Sequence, residues 1–263
     1  MGKITKAEKN RREDATLTRA LIWFAAAMVL EFFLRLVNKY YINVTADSAS
    51  IARALMLDKV LRWLAVVASL CGVGCAAYCL FRSRQLAQFQ FGLSVAAAVL
   101  LTLGLSSAAI VRFWYSAVQV LFLVIPAAAV LALIYYLYQK EFFFCALASA
   151  IGLLDLWLIR HNAPASHPVL LIIYEIAAFL ALAAIAVLTF RAGMSGGILK
   201  LSQRSVPLLQ KGGAPVLILI SCALSLLAGA AGTILGAAAA FYLMLLLSAW
   251  LFVLLVYYTV KLM

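Results

Sequence analysis

Charge is what this chain has least of. Only 11% of its 263 residues are Asp, Glu, Lys or Arg, and just nine are acidic. Roughly a quarter of a soluble domain is charged, because a globule in water must cover itself with polar groups. A soluble domain of useful size is therefore excluded. The two histidines leave little scope for haem or for a histidine-built metal centre. The five cysteines (Cys71, Cys75, Cys79, Cys145, Cys222) all fall inside apolar runs, so they are not the disulfide framework of a small secreted protein, and they do not reveal the redox compartment. No HExxH, GxSxG or GxxxxGK[ST] occurs, nor any clustered nucleophile and base. These absences call for no cofactor or metal and argue against an enzyme. The enzymatic reading they leave is an intramembrane one on a lipid substrate, with Asp and Glu as acid and base.

Hydrophobicity is what the chain has most of. Apolar residues make up 67% of it, and the mean hydropathy is +1.10. About 20 apolar residues cross a hydrocarbon core of about 30 Å, and lipid offers no partner to a free backbone N–H or C=O, so each crossing must be helical. The predicted fold is all-α: a polytopic bundle of eight spans, near 20–38, 60–81, 90–111, 117–138, 142–159, 168–190, 214–232 and 237–260. The weakest division is the last. Residues 214–260 are too long for one crossing at 1.5 Å per residue, and Gly232 to Gly236 offers a tight turn between two helices; seven spans, one of them re-entrant, is the alternative.

A basic segment, 1–19, precedes a single transmembrane domain, 20–263, with an outer loop at 39–59 and an inner loop at 191–214. Val44-Thr45-Ala46 resembles a cleavage site, but it lies beyond the apolar run, and Glu31 and Arg35 interrupt that run, so a retained helix is expected. Placing the N-terminus inside puts fourteen of the 21 Lys and Arg on the cytoplasmic side (the six of 1–19, Arg82, Arg84, Lys140, Arg191, Lys200, Arg204, Lys211 and Lys261) and seven outside. Both termini are then cytoplasmic, in the cell membrane. The formal net charge of +12 belongs to these loops and to lipid headgroups, not to nucleic acid. The second half of the outer loop, 48–59, has helical spacing and either lies on the membrane or extends the second span; 198–204 is a short basic amphipathic stretch suited to the headgroups.

Ionisable groups within spans carry the functional reading, since a charge at the bilayer centre costs about 2.5–3.5 kcal/mol on insertion scales. Asp155 and Glu175 lie either side of the Arg160–Pro168 hairpin, at one depth on adjacent helices. Such a pair can hold a proton or a cation; the plainer alternative pairs Asp155 with Arg160. Glu31, Arg35, Arg62, Arg112 and Arg160 fall in the same outer third and form a supporting polar vestibule if they face inward. His161 and His167 flank the hairpin, and a loop histidine is usually only solvated. Cys71, Cys75 and Cys79, and Ala228, Gly232 and Gly236, are stripes of small residues suited to close helix packing, within the chain or against a membrane partner or second copy. Pro126, seven residues after Gln119, interrupts the fourth span and can kink it. The leading functional expectation is transport of a small solute or ion; the alternative is a non-enzymatic membrane subunit or scaffold.

Overall fold

The computed structural model describes residues 6–44, 47–81, 87–161, 168–194, 198–201, 204–207 and 215–262. The described chain is a helical membrane fold: α1 (Lys6–Val37), α2 (Ser48–Phe81), α3 (Ala87–Leu137), α4 (Lys140–His161), α5 (Pro168–Met194), α6 (Pro215–Leu235) and α7 (Ala237–Leu262). Seven helices are long and apolar enough to cross a membrane. The stretch expected as a loop at 39–59 is largely helix among its described residues: α1 runs on through a π-helical turn, Asn38–Ile42, and residues 48–59 are the first turns of α2, one of the two arrangements expected for them. The described residues of the basic stretch that starts at Ile198 form strands. Ile198–Leu201 (β1) pairs antiparallel with Arg204–Pro207 (β2), Leu201 opposite Arg204. Pro207 cannot donate to a helix and drives Val206 toward extended geometry, which favours the hairpin.

The chain divides into two compact units, Met1–Leu133 and Ile134–Met263. In the first, Leu34, Val37 and Tyr41 pack with Leu61 of α2 and with Ile110, Ala117 and Val118 of α3. Glycine brings α2 and α3 close. A Cβ on Gly104 would lie 2.7 Å from the backbone nitrogen of Ser69, and one on Gly72 would lie 2.9 Å from that of Leu101. Small residues permit this approach, and it is made by Gly72 and Gly104 rather than by the cysteine stripe. The three cysteines of that stripe are free; Cys71 is exposed and Cys75 and Cys79 half-exposed.

The interruption in α3 sits at Trp114 (φ 49°, ψ −122°) and not at Pro126, which stays within the helix. Trp114 is the one described non-glycine residue with positive φ. This conformation crowds Cβ against the backbone in any L-residue but glycine. The ring packs on Tyr41 at a tilt of 44°, with centroids 4.6 Å apart. Tyr41 in turn donates its hydroxyl to Asp58 at 2.8 Å, and Asp58 also accepts from Arg62 at 2.8 Å.

In the second unit α4 packs against α5, α6 and α7. Its core joins Leu156 and Ile159 to Ala228, Ala240 and Leu247. The junction after α6 is a glycine turn. Gly236 has φ +84° and donates to the Gly232 carbonyl, and α7 starts at the next residue. This left-handed residue after a helix end is the usual glycine stop, and it makes 214–260 two helices.

Trp114 gives the first prediction. Trp114→Ala keeps the backbone cost and loses the ring, whereas Trp114→Gly loses the ring and relieves the backbone. In thermal unfolding the Gly variant should be the more stable of the two by about 1 kcal/mol; an Ala variant at least as stable as the Gly variant would show that the backbone there is unstrained.

Candidate functional site

One face of α4 carries Glu141, Cys145, Ala148, Gly152 and Asp155, and all five are buried. Their spacing of four, three, four, three is the helical repeat that keeps side chains on one stripe. Opposite lies a stripe of α6 with Ser221, Cys222, Ser225, Ala228, Gly229 and Gly232 buried. Residue sizes set the distance between the helices. A Cβ on Gly152 would come within 2.8 Å of the Ser225 Cβ, and one on Gly232 within 2.7 Å of Leu156. Ser225 closes the contact by donating to the Ala148 carbonyl at 3.1 Å.

Asp155 occupies the space that a side chain on residue 229 would need. A Cβ on Gly229 would be 2.6 Å from Asp155 Oδ2. Asp155 is 8% exposed, and its Oδ1 has no hydrogen-bond partner; neither does Glu175 Oε1. Both carboxyl groups line a cavity of about 320 Å³ between α4, α5 and α6. The remainder of its wall is mainly apolar, from residues such as Ile176, Phe179, Leu180 and Leu226, with the hydroxyls of Ser225 and Thr233. The two residues singled out in the sequence thus meet at one cavity. A buried acid without a partner costs several kcal/mol unless it is neutralised by a proton or a cation.

The supporting groups behave differently. Arg160 does not pair with Asp155; its guanidinium lies 4.4 Å from the centre of the Phe241 ring. Arg62 is bound to Asp58, and Arg112 lies over Phe113 at 5.5 Å. Arg35 and these three arginines are all exposed, while Glu31 is half-buried with Oε2 unpartnered. Exposed guanidinium groups draped on neighbouring rings or carboxylates are snorkelling side chains. His161 stacks on Trp157 at 4.2 Å, and its Nδ1 is 3.3 Å from the Trp157 carbonyl. His167 lies outside the described residues. Among the described residues no group of three or more His, Cys, Asp or Glu gathers as metal ligands.

Sequence reasoning missed Glu141. It lies next to Lys140, just outside the expected span 142–159, yet it is 1% exposed. Lys261, at the end of α7, reaches Glu141 Oε2 at 3.6 Å. The Tyr258 ring packs on Phe142 with centroids 5.3 Å apart, and its hydroxyl is buried without a partner. The signal was present: Glu141 falls on the same stripe of α4 as Asp155.

The fold and the site define a helical integral membrane protein whose second unit carries a buried carboxylate cleft. Compared with protein-family models, with curated proteins and with solved structures, the chain matches none.

The ion pair gives a second prediction. Lys261→Met leaves the Glu141 carboxylate uncompensated and should lower stability by about 1–3 kcal/mol. Adding Glu141→Gln removes the charge and should restore most of the loss in the double variant. Additive losses in the two single variants would show that the pair is not coupled.

Proposed function

We propose that the protein moves a small cationic solute or ion across the cell membrane, with Asp155 and Glu175 as the cation- or proton-binding groups. The observation that carries this reading is that two carboxyl groups with unpartnered oxygens line one mainly apolar cavity. Carboxylates in membrane spans are costly and mark ion or substrate paths. The volume beside them separates them from Glu141, whose oxygens also lack hydrogen-bond partners but which has Lys261 at 3.6 Å. The scaffold reading draws less support, because Gly232 of the small-residue stripe is spent inside the unit against Leu156 and Ile159.

The membrane arrangement belongs to the same proposal. Eight crossings follow if α3 crosses twice, once on each side of Trp114; α3 has 51 residues, and the halves before and after the break are each long enough. With eight crossings and the N-terminus in the cytoplasm, the 14-to-7 imbalance of Lys and Arg is satisfied. The Asp155–Glu175 cavity then lies toward the outer leaflet.

The test is ligand-dependent stability of the purified protein. A cation present at ten times its Kd should stabilise the fold by about 1.4 kcal/mol, a rise in Tm of about 3–6 °C. Asp155→Asn and Glu175→Gln should each abolish that rise. A response to protons and cations that is identical in wild type and both variants would make the carboxylates structural and bring the scaffold reading forward.

A further inference from the structure

The Asp155–Glu175 cavity also carries information about what fills it. A water occupies about 30 Å³ of liquid, and the cavity holds about 320 Å³. That is the lower part of the range of pockets for small organic ligands, about 300–1,000 Å³. Hard metal ions are held by about six oxygen ligands at close range, whereas the side-chain oxygens on this wall come from four residues, Asp155, Glu175, Ser225 and Thr233, set among apolar ones. The Ser225 and Thr233 hydroxyls donate their protons to the Ala148 carbonyl at 3.1 Å and the Ala230 carbonyl at 2.8 Å, so they offer a ligand only their lone pairs. The unpartnered polar atoms on the wall are Asp155 Oδ1 and Glu175 Oε1. Phe179 contributes an aromatic ring to the same wall. Aromatic faces attract organic cations.

The rim points the same way. Ile176, Phe179 and Leu180 are 55%, 60% and 62% exposed, so the cavity is flanked by apolar side chains rather than by a polar funnel. A hydrated inorganic ion gains nothing from such a rim. An amphiphilic cation partitions into hydrocarbon and meets it directly.

We infer that the cavity between α4, α5 and α6 binds an organic ammonium ion, its charged nitrogen between Asp155 and Glu175 and its apolar body against Phe179, Leu180 and Leu226. This rests on the proposed cation-binding role of the two carboxylates and adds the class of ligand. A free lipophilic amine and the ammonium headgroup of a lipid share this chemistry.

The test uses full-length protein in nanodiscs of phosphatidylglycerol, which carry no ammonium group, with radiolabelled benzyltrimethylammonium as probe. Saturable binding is expected, at least about tenfold tighter than that of its uncharged isostere neopentylbenzene, a gap of about 1.4 kcal/mol. Asp155→Asn and Glu175→Gln should each lose it, and excess sodium or potassium should not displace it. Ala230→Phe provides a variant that keeps both carboxylates: Ala230 lines the cavity at an exposed position, so a phenyl group there should fill the chamber, abolish probe binding and leave Tm near wild type. Displacement by added phosphatidylethanolamine would identify a lipid headgroup as the source, and its absence a free amine. Carboxylate-dependent stabilisation by sodium, potassium or protons without probe binding would overturn the organic-cation inference and leave the cation-site reading standing. Equal binding of the probe and neopentylbenzene would overturn the inference as well. No carboxylate-dependent response to any of these would sink both.

Discussion

The close approach of α4 and α6 is the contact on which the rest of the second unit depends. Gly152, Ser225, Gly229 and Gly232 have too little side chain to hold the helices apart, and in lipid, packing of this kind replaces the hydrophobic effect as the cohesive force between helices. The same small residues create the site. Because Gly229 presents no Cβ, the Asp155 carboxyl can lie flat against α6 while its other oxygen stays unpartnered beside the cavity. Packing and chemistry therefore share one stripe, and a larger residue at 229 would perturb both.

Buried acids in this unit are handled in two ways. Glu141 at one end of α4 is compensated by a lysine from another helix and sits among aromatic rings. Asp155, near the other end, is given space, a second carboxyl group and no cation of its own. The nearby Arg160 is turned onto Phe241. Both acids keep oxygens without hydrogen-bond partners; a cation beside Glu141 and a cavity beside Asp155 are what set them apart.

The first unit shows how a long apolar stretch is divided. Arg112, Phe113, Trp114 and Tyr115 interrupt the apolar run of α3, and the expected third and fourth spans, 90–111 and 117–138, part there; Pro126 is the other candidate breaker. Yet the helix tolerates the proline, as membrane helices commonly do, and breaks at a tryptophan whose ring is held by Tyr41. The Tyr41–Asp58–Arg62 chain ties the end of α1 to α2 at the same place. Two of the charged groups expected to line a vestibule, Arg62 and Arg112, are thereby accounted for as local partners and surface side chains.

Composition and hydropathy pointed to the helical membrane fold, since lipid demands satisfied backbone groups and continuous apolar runs of about 20 residues meet that demand as helices. They also placed the helix pair at the end, where Gly236 could be read as a turn, and they picked out Asp155 and Glu175, because acids are rare enough in spans to stand out singly. The pairing of 198–207 as a hairpin, the burial of Glu141 and the turning away of Arg160 were decided only by tertiary structure. Each depends on which neighbour a side chain or strand meets. A neighbour from a distant part of the chain, such as Lys261 for Glu141 or Phe241 for Arg160, leaves no mark on the local pattern of residues.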